Sequence, residues 1–228
     1  MLGARELVWL AQGFYCVFWG LLLAAVVGTQ MLLTRWLPLV VDAGLGAGAL
    51  IVLAGSWRLA QVQLPARPGG DVWRRRAHRL RVAAGLFLYF CVPFYLWRRV
   101  PDSAYLLVNT GLFVVAAVAY VILFNQAVAG LGGALGQPSL AAEARLFNWG
   151  NFGWLALVAG FMGLIVFLAQ WRNLPLSTVS AALLEKMSLP VALVLLLPFS
   201  LTLALAWGAK DIVLERLMAP TAPPQPPA

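Results

Sequence analysis

Residues 7–27 read LVWLAQGFYCVFWGLLLAAVV, twenty-one consecutive positions without a charged side chain. An α-helix rises 1.5 Å per residue, so about 20 such residues cross the ~30 Å hydrocarbon core of a bilayer. The run stays apolar to residue 33 and predicts a spanning helix over 7–33. Arg5 and Glu6 before it give the charged start of a secretory signal, but the run is long and no small-x-small cleavage site follows. It is therefore read as a retained anchor.

Five further windows have the same character: 38–57, 81–97, 103–129, 152–171 and 187–207. Pro38 suits a first helical position, where its missing N–H is not needed. The window 81–97 is short and contains Pro93, so whether it crosses fully is left open. The window 187–207 carries Pro190 and Pro198, and Pro198 is expected to kink it.

Of the 228 residues, 62% are hydrophobic and 11% are charged. A soluble domain has about 25% charged residues. The excess apolar surface needs lipid as its solvent. Ten tryptophans fit a chain with two membrane interfaces. The expected fold is an all-α, polytopic transmembrane helix bundle of about six helices. One transmembrane domain covers 1–218. The tail 219–228, with its run APPQPPA, is expected to sample polyproline II and disorder.

Sixteen basic residues against eight acidic ones give a formal charge of +8. The basic residues fall between the apolar runs, which is the arrangement of topogenic loops rather than of a nucleic-acid surface. With the N-terminus inside, Arg5, Arg58, Arg67, Arg74, Arg75, Arg76, Arg79, Arg81, Arg145, Lys210 and Arg216 lie on the cytoplasmic side. Arg35, Arg98, Arg99, Arg172 and Lys186 lie opposite. The excess predicts N-in and C-in, in a bacterial plasma (inner) membrane; the bacterial assignment follows from the preference for Arg over Lys and the many Ala, Gly and Leu.

Residues 73–81, WRRRAHRLR, lead into the third window. As helix they place Trp73, Ala77, Leu80 and Ala84 on one face. Arg74, Arg75, Arg76, Arg79 and Arg81 cover the rest and are expected to meet anionic phospholipid headgroups. The segment 174–186 is expected to form a short interfacial helix on the outer side, capped by Ser177.

Known catalytic chemistry is sparse. His78 is the single histidine, which removes a bis-histidine haem and a histidine-bearing zinc cluster from this chain alone. No Gly-rich phosphate loop and no G-x-S-x-G elbow occurs. Cys16 and Cys91 sit inside apolar runs and read as small buried hydrophobes. No cofactor is expected.

The polar residues within spans are the candidate sites. Asp42 is the one carboxylate inside a window, and an intramembrane carboxylate is a functional candidate by default. It also lies four residues after Pro38, where the first helical turns tolerate negative charge. Gly44 and Gly48 form a G-x-x-x-G pair, which allows close helix packing. Asn109, Gln12 and Gln30 are expected to bond across helices. Asn125 and Gln126 precede a glycine-rich run, 130–136, read as a flexible loop or a re-entrant segment. Asn148, Gly150, Asn151 and Gly153 read as a polar helix start or a ligand site.

Three functions remain open: a non-catalytic subunit or assembly factor of a membrane complex, a small transporter or channel, and a lipid-binding or lipid-modifying enzyme. The expected partners are the bilayer, anionic headgroups and other membrane proteins.

Overall fold

A computed structural model describes residues 2–33, 38–64, 70–100, 103–172 and 189–218. They form six long helices: α1 (Ala4–Leu33), α2 (Pro38–Gln61), α3 (Gly70–Arg99), α4 (Ala104–Ala134), α5 (Pro138–Trp171) and α6 (Leu189–Met218). The tail 219–228 and the segment 174–186 lie outside the described residues.

Five helices contain stretches long and apolar enough to cross a membrane: Ala4–Gln30, Ala43–Gln61, Val72–Trp97, Val108–Ala134 and Leu196–Met218. The sixth window, 152–171, belongs to α5, where several side chains lie outside the described residues. The chain is a multi-pass helical membrane protein. Its outward faces agree: Tyr89, Val92, Val108 and Val115 on α3 and α4 are exposed, as side chains facing acyl tails must be.

Several helices outrun their predicted windows. The short 81–97 window is part of a 30-residue helix, because WRRRAHRLR continues α3 without a break. The polar stretch 148–153 is interior to α5, which starts at Pro138. Hydropathy marks only the part of a helix that meets lipid, whereas backbone hydrogen bonding carries it past the hydrocarbon.

Neighbouring helices run antiparallel. Side by side they follow the order α1, α2, α3, α4, α5, α6, and α6 closes the ring against α1. α4 also reaches α6 across the ring. The alternation brings the start of α1 and the end of α6 to the same end of the bundle. The larger core cluster lies at that end and draws side chains from all six helices, including Leu10, Phe14, Leu59, Leu80, Phe124, Leu131, Ala144 and Leu205. A smaller cluster towards the other end joins α1 to α4 through Ala24, Ala49, Phe87, Phe94 and Ala117.

The α1–α2 pair is held by glycine on both sides. A Cβ on Gly20 would stand 2.8 Å from the Gly48 carbonyl, and one on Gly48 would stand 2.9 Å from the Gly20 carbonyl. Gly13 and Gly55 repeat the arrangement one heptad away: a Cβ on Gly55 would lie 2.8 Å from the Gly13 carbonyl. Backbones this close gain dispersion and Cα–H···O contacts, which drive helix association where lipid removes the hydrophobic term. At Gly44 the atoms nearest to an added Cβ belong to the Val27 side chain.

The glycine-rich run 130–136 is neither a loop nor a re-entrant segment. It is the last turn of α4 with its cap. Gln137 N–H donates to the Gly132 carbonyl at 2.8 Å and Gly136 N–H to the Gly133 carbonyl at 3.2 Å. This pair of bonds is the Schellman arrangement, and Gly136 holds the left-handed position with φ 66°. A Cβ on Gly132 would lie 2.9 Å from Ala141 N, so α5 folds back tightly on α4. Gly136→Ala is expected to lower stability by about 1 kcal/mol, since an L side chain resists this φ. Thermal unfolding in detergent would check it, with Gly133→Ala, at an open helical position, showing little or no loss.

Candidate functional site

The sequence candidates fall on different helices. Asp42 lies in the first turns of α2, and its side chain is outside the described residues. Asn109 is buried, but its Nδ2 donates to the Tyr105 carbonyl at 2.8 Å, within its own helix. Among the described residues this bond stays within α4, because an amide four residues above a carbonyl finds it without help from a neighbour. Gln12 does bond across helices: Arg58 Nη1 donates to its Oε1 at 3.1 Å.

The basic segment of α3 is also divided. Trp73, Ala77, Leu80 and Ala84 do share a face, and that face is buried in the protein core rather than against lipid. Trp73 Nε1 donates to the Val62 carbonyl at 3.1 Å, tying the start of α3 to the end of α2. Arg76 turns inward and its Nη1 donates to the Gln126 carbonyl at 2.7 Å. Gly130 makes this possible, since a Cβ there would lie 2.7 Å from the same nitrogen. Arg81 stacks over Trp57 and donates to His78 Nδ1 at 3.2 Å. Arg74, Arg75 and Arg79 remain exposed. On α6, Arg216 donates to the Leu135 carbonyl and so helps cap α4.

Two polar features stand out. The first is a belt of buried side chains. Ser56 Oγ donates to the Val52 carbonyl, so the Tyr120 hydroxyl 3.0 Å away supplies the proton of the Ser56–Tyr120 bond. Thr202 Oγ1 donates to Asn125 Oδ1 at 3.3 Å, joining α6 to α4. Counting back from the Gly132–Ala141 contact, Asn148 comes level with Asn125 and Asn151 one turn further along α5. Asn125 Nδ2, Asn148 Oδ1 and both polar atoms of Asn151 are buried without a hydrogen-bond partner among the described residues. Each such atom costs about 1–3 kcal/mol. The amides of 148–153 thus face the protein interior at depth and do not mark a helix start.

The second is an open recess of about 270 Å³ between α1, α2 and α6. Ala11, Gln12, Tyr15, Cys16, Arg58, Lys210 and Leu214 line it. Cys16 is therefore not a buried core residue like Cys91, which packs inside with its Sγ donating to the Phe87 carbonyl. Lys210 is largely buried, with Nζ 3.2 Å from the centroid of the Trp207 ring and 2.9 Å from Asp211 Oδ1. Sequence reading passed over this site because its two cations are 152 residues apart and each looks like an ordinary topogenic charge.

No protein-family model, no curated protein and no solved structure matches this chain, so its function is read from its own residues.

Proposed function

We propose that this chain is a non-catalytic subunit or assembly scaffold of a larger membrane complex, placed in a bacterial inner membrane with both termini in the cytoplasm. The observation that carries this reading is the filled interior. Phe14, Tyr120, Phe124, Leu10, Leu21 and Leu205 are all essentially without exposure. Phe14 packs edge-on against Phe124 at 6.0 Å, and Tyr120 stacks with Phe124 at 6.3 Å. Side chains of this size in the middle of the ring leave a solute little room, and a hydrated pathway needs polar lining. A packed helical body suits a part whose work is to hold others in place.

A transporter is the second reading, and the buried amides of Asn125, Asn148 and Asn151 favour it, as unpaired donors and acceptors at depth are what a small polar solute would use. One preparation separates the two. The tagged protein is extracted from its native membrane in mild detergent, and co-purifying proteins are identified by mass spectrometry. A stoichiometric protein partner is the expected result. Isolation as a lone chain, together with solute flux in liposomes that Asn151→Leu abolishes, would replace the scaffold by the transporter.

A further inference from the structure

We infer that the recess between α1, α2 and α6 binds the phosphate headgroup of an anionic phospholipid, whose acyl chain runs along the aromatic track beside it. The site is independent of the exposed arginines of α3. Arg58 and Lys210 supply two positive charges to one small volume. Among the described residues the partner of the Arg58 guanidinium is the neutral amide of Gln12, so that bond leaves its charge uncompensated. Lys210 is paired to Asp211, whose side chain is 48% exposed. The Lys210 ammonium also lies over the Trp207 ring, so its charge is partly compensated. Arg58 therefore keeps its full charge for an anion, and Lys210 adds a partly compensated one beside it.

The donor set fits a phosphate. The Arg58 guanidinium offers a planar fork, the Lys210 ammonium a point charge, and Gln12 keeps its amide N–H donors because its oxygen is the atom engaged. The Tyr15 hydroxyl is the fourth polar group of the wall. Basic pockets between transmembrane helices at the cytoplasmic end are a recurrent way of holding acidic headgroups.

The surroundings favour a lipid over a free anion. Tyr15, Trp19, Phe18 and Trp207 form a continuous aromatic track beside the recess, with ring centroids 6.1, 5.4 and 4.9 Å apart in that order, and Trp207 closes it against Lys210. Tyr15, Trp19 and Trp207 are each 41–50% exposed, so the track presents an apolar surface alongside the headgroup site. A lipid would use both at once, and inorganic phosphate would use only the recess.

The test is a thermal-stability titration of the purified full-length protein in dodecyl maltoside. Phosphatidylglycerol, phosphatidylcholine and inorganic phosphate are added separately. Wild type is expected to gain a saturable rise in unfolding temperature with phosphatidylglycerol alone. Arg58→Gln, at an exposed position, should raise the half-saturating lipid concentration about tenfold, as loss of one charge-assisted bond implies. Lys210→Met, close in volume, should act alike. The inference is overturned if phosphatidylcholine serves as well, if inorganic phosphate reproduces the effect, or if Arg58→Gln titrates like wild type. Should Lys210→Met not fold, Arg58→Gln still decides.

Discussion

Gly48→Leu is expected to remove most of the folded protein. A Cβ alone at this position would stand 2.9 Å from both Ala24 N and the Gly20 carbonyl, and these are backbone atoms that no rotamer change can move away. The helices must separate, which breaks the matching contact at Gly13–Gly55 along the same seam. Overpacking a core commonly costs about 1–3 kcal/mol, and a backbone clash lies at or beyond the top of that range. For a chain of this size, about 3 kcal/mol is roughly 10 °C in the thermal midpoint. Gly46→Leu is the matched control, since a Cβ there meets nothing within 4 Å. Size-exclusion thermostability in detergent should show a large loss for Gly48→Leu and little for Gly46→Leu. Equal behaviour of the two would mean that the α1–α2 seam does not hold the bundle together.

Trp73→Ala is the second large effect. The indole is 2% exposed, belongs to the core cluster shared by all six helices, and is bonded to the Val62 carbonyl. Truncating a buried tryptophan costs about 3–5 kcal/mol. Trp73→Phe keeps much of the packing and loses the hydrogen bond, so it should cost about 1 kcal/mol for the bond and somewhat more for the smaller ring. The ordering wild type, then Phe, then Ala is the result to look for in thermal unfolding. A tryptophan that lay on the membrane surface would give three nearly equal values, because lipid would accommodate either replacement.

Trp73 also shows how a correct local reading can leave the wider arrangement undecided. Its spacing with Ala77, Leu80 and Ala84 announces an apolar helical face, and that face is present. What covers the face cannot be told from spacing, because lipid and protein are equally apolar neighbours. The same holds for the arginines around it. Arg76 and Arg81 look alike in the string WRRRAHRLR, yet one enters the bundle through the gap at Gly130 and the other stacks on Trp57.

The glycines divide in the same way. Gly44 and Gly48 carry a familiar spacing, but glycine meets glycine across the helix pair at Gly48 with Gly20 and at Gly55 with Gly13. The signal was a seven-residue repeat of glycine on each helix, 13 and 20 against 48 and 55, legible only once the two helices are known to pair. The run 130–136 misleads for another reason. Low helix propensity argues against a helix, but the Gly132–Ala141 approach and the αL cap at Gly136 require glycine there.

What the sequence by itself determined is the membrane-spanning all-α character. Lipid solvation acts on each segment separately, and each helix satisfies its own backbone hydrogen bonds, so composition over some twenty residues is enough. What only the tertiary structure decided is which faces meet protein, which cations turn inward, and that Arg58 and Lys210 share a recess with Gln12. Those outcomes rest on short-range packing between segments far apart in the chain, and van der Waals contact and hydrogen bonding leave no periodic trace in either segment alone.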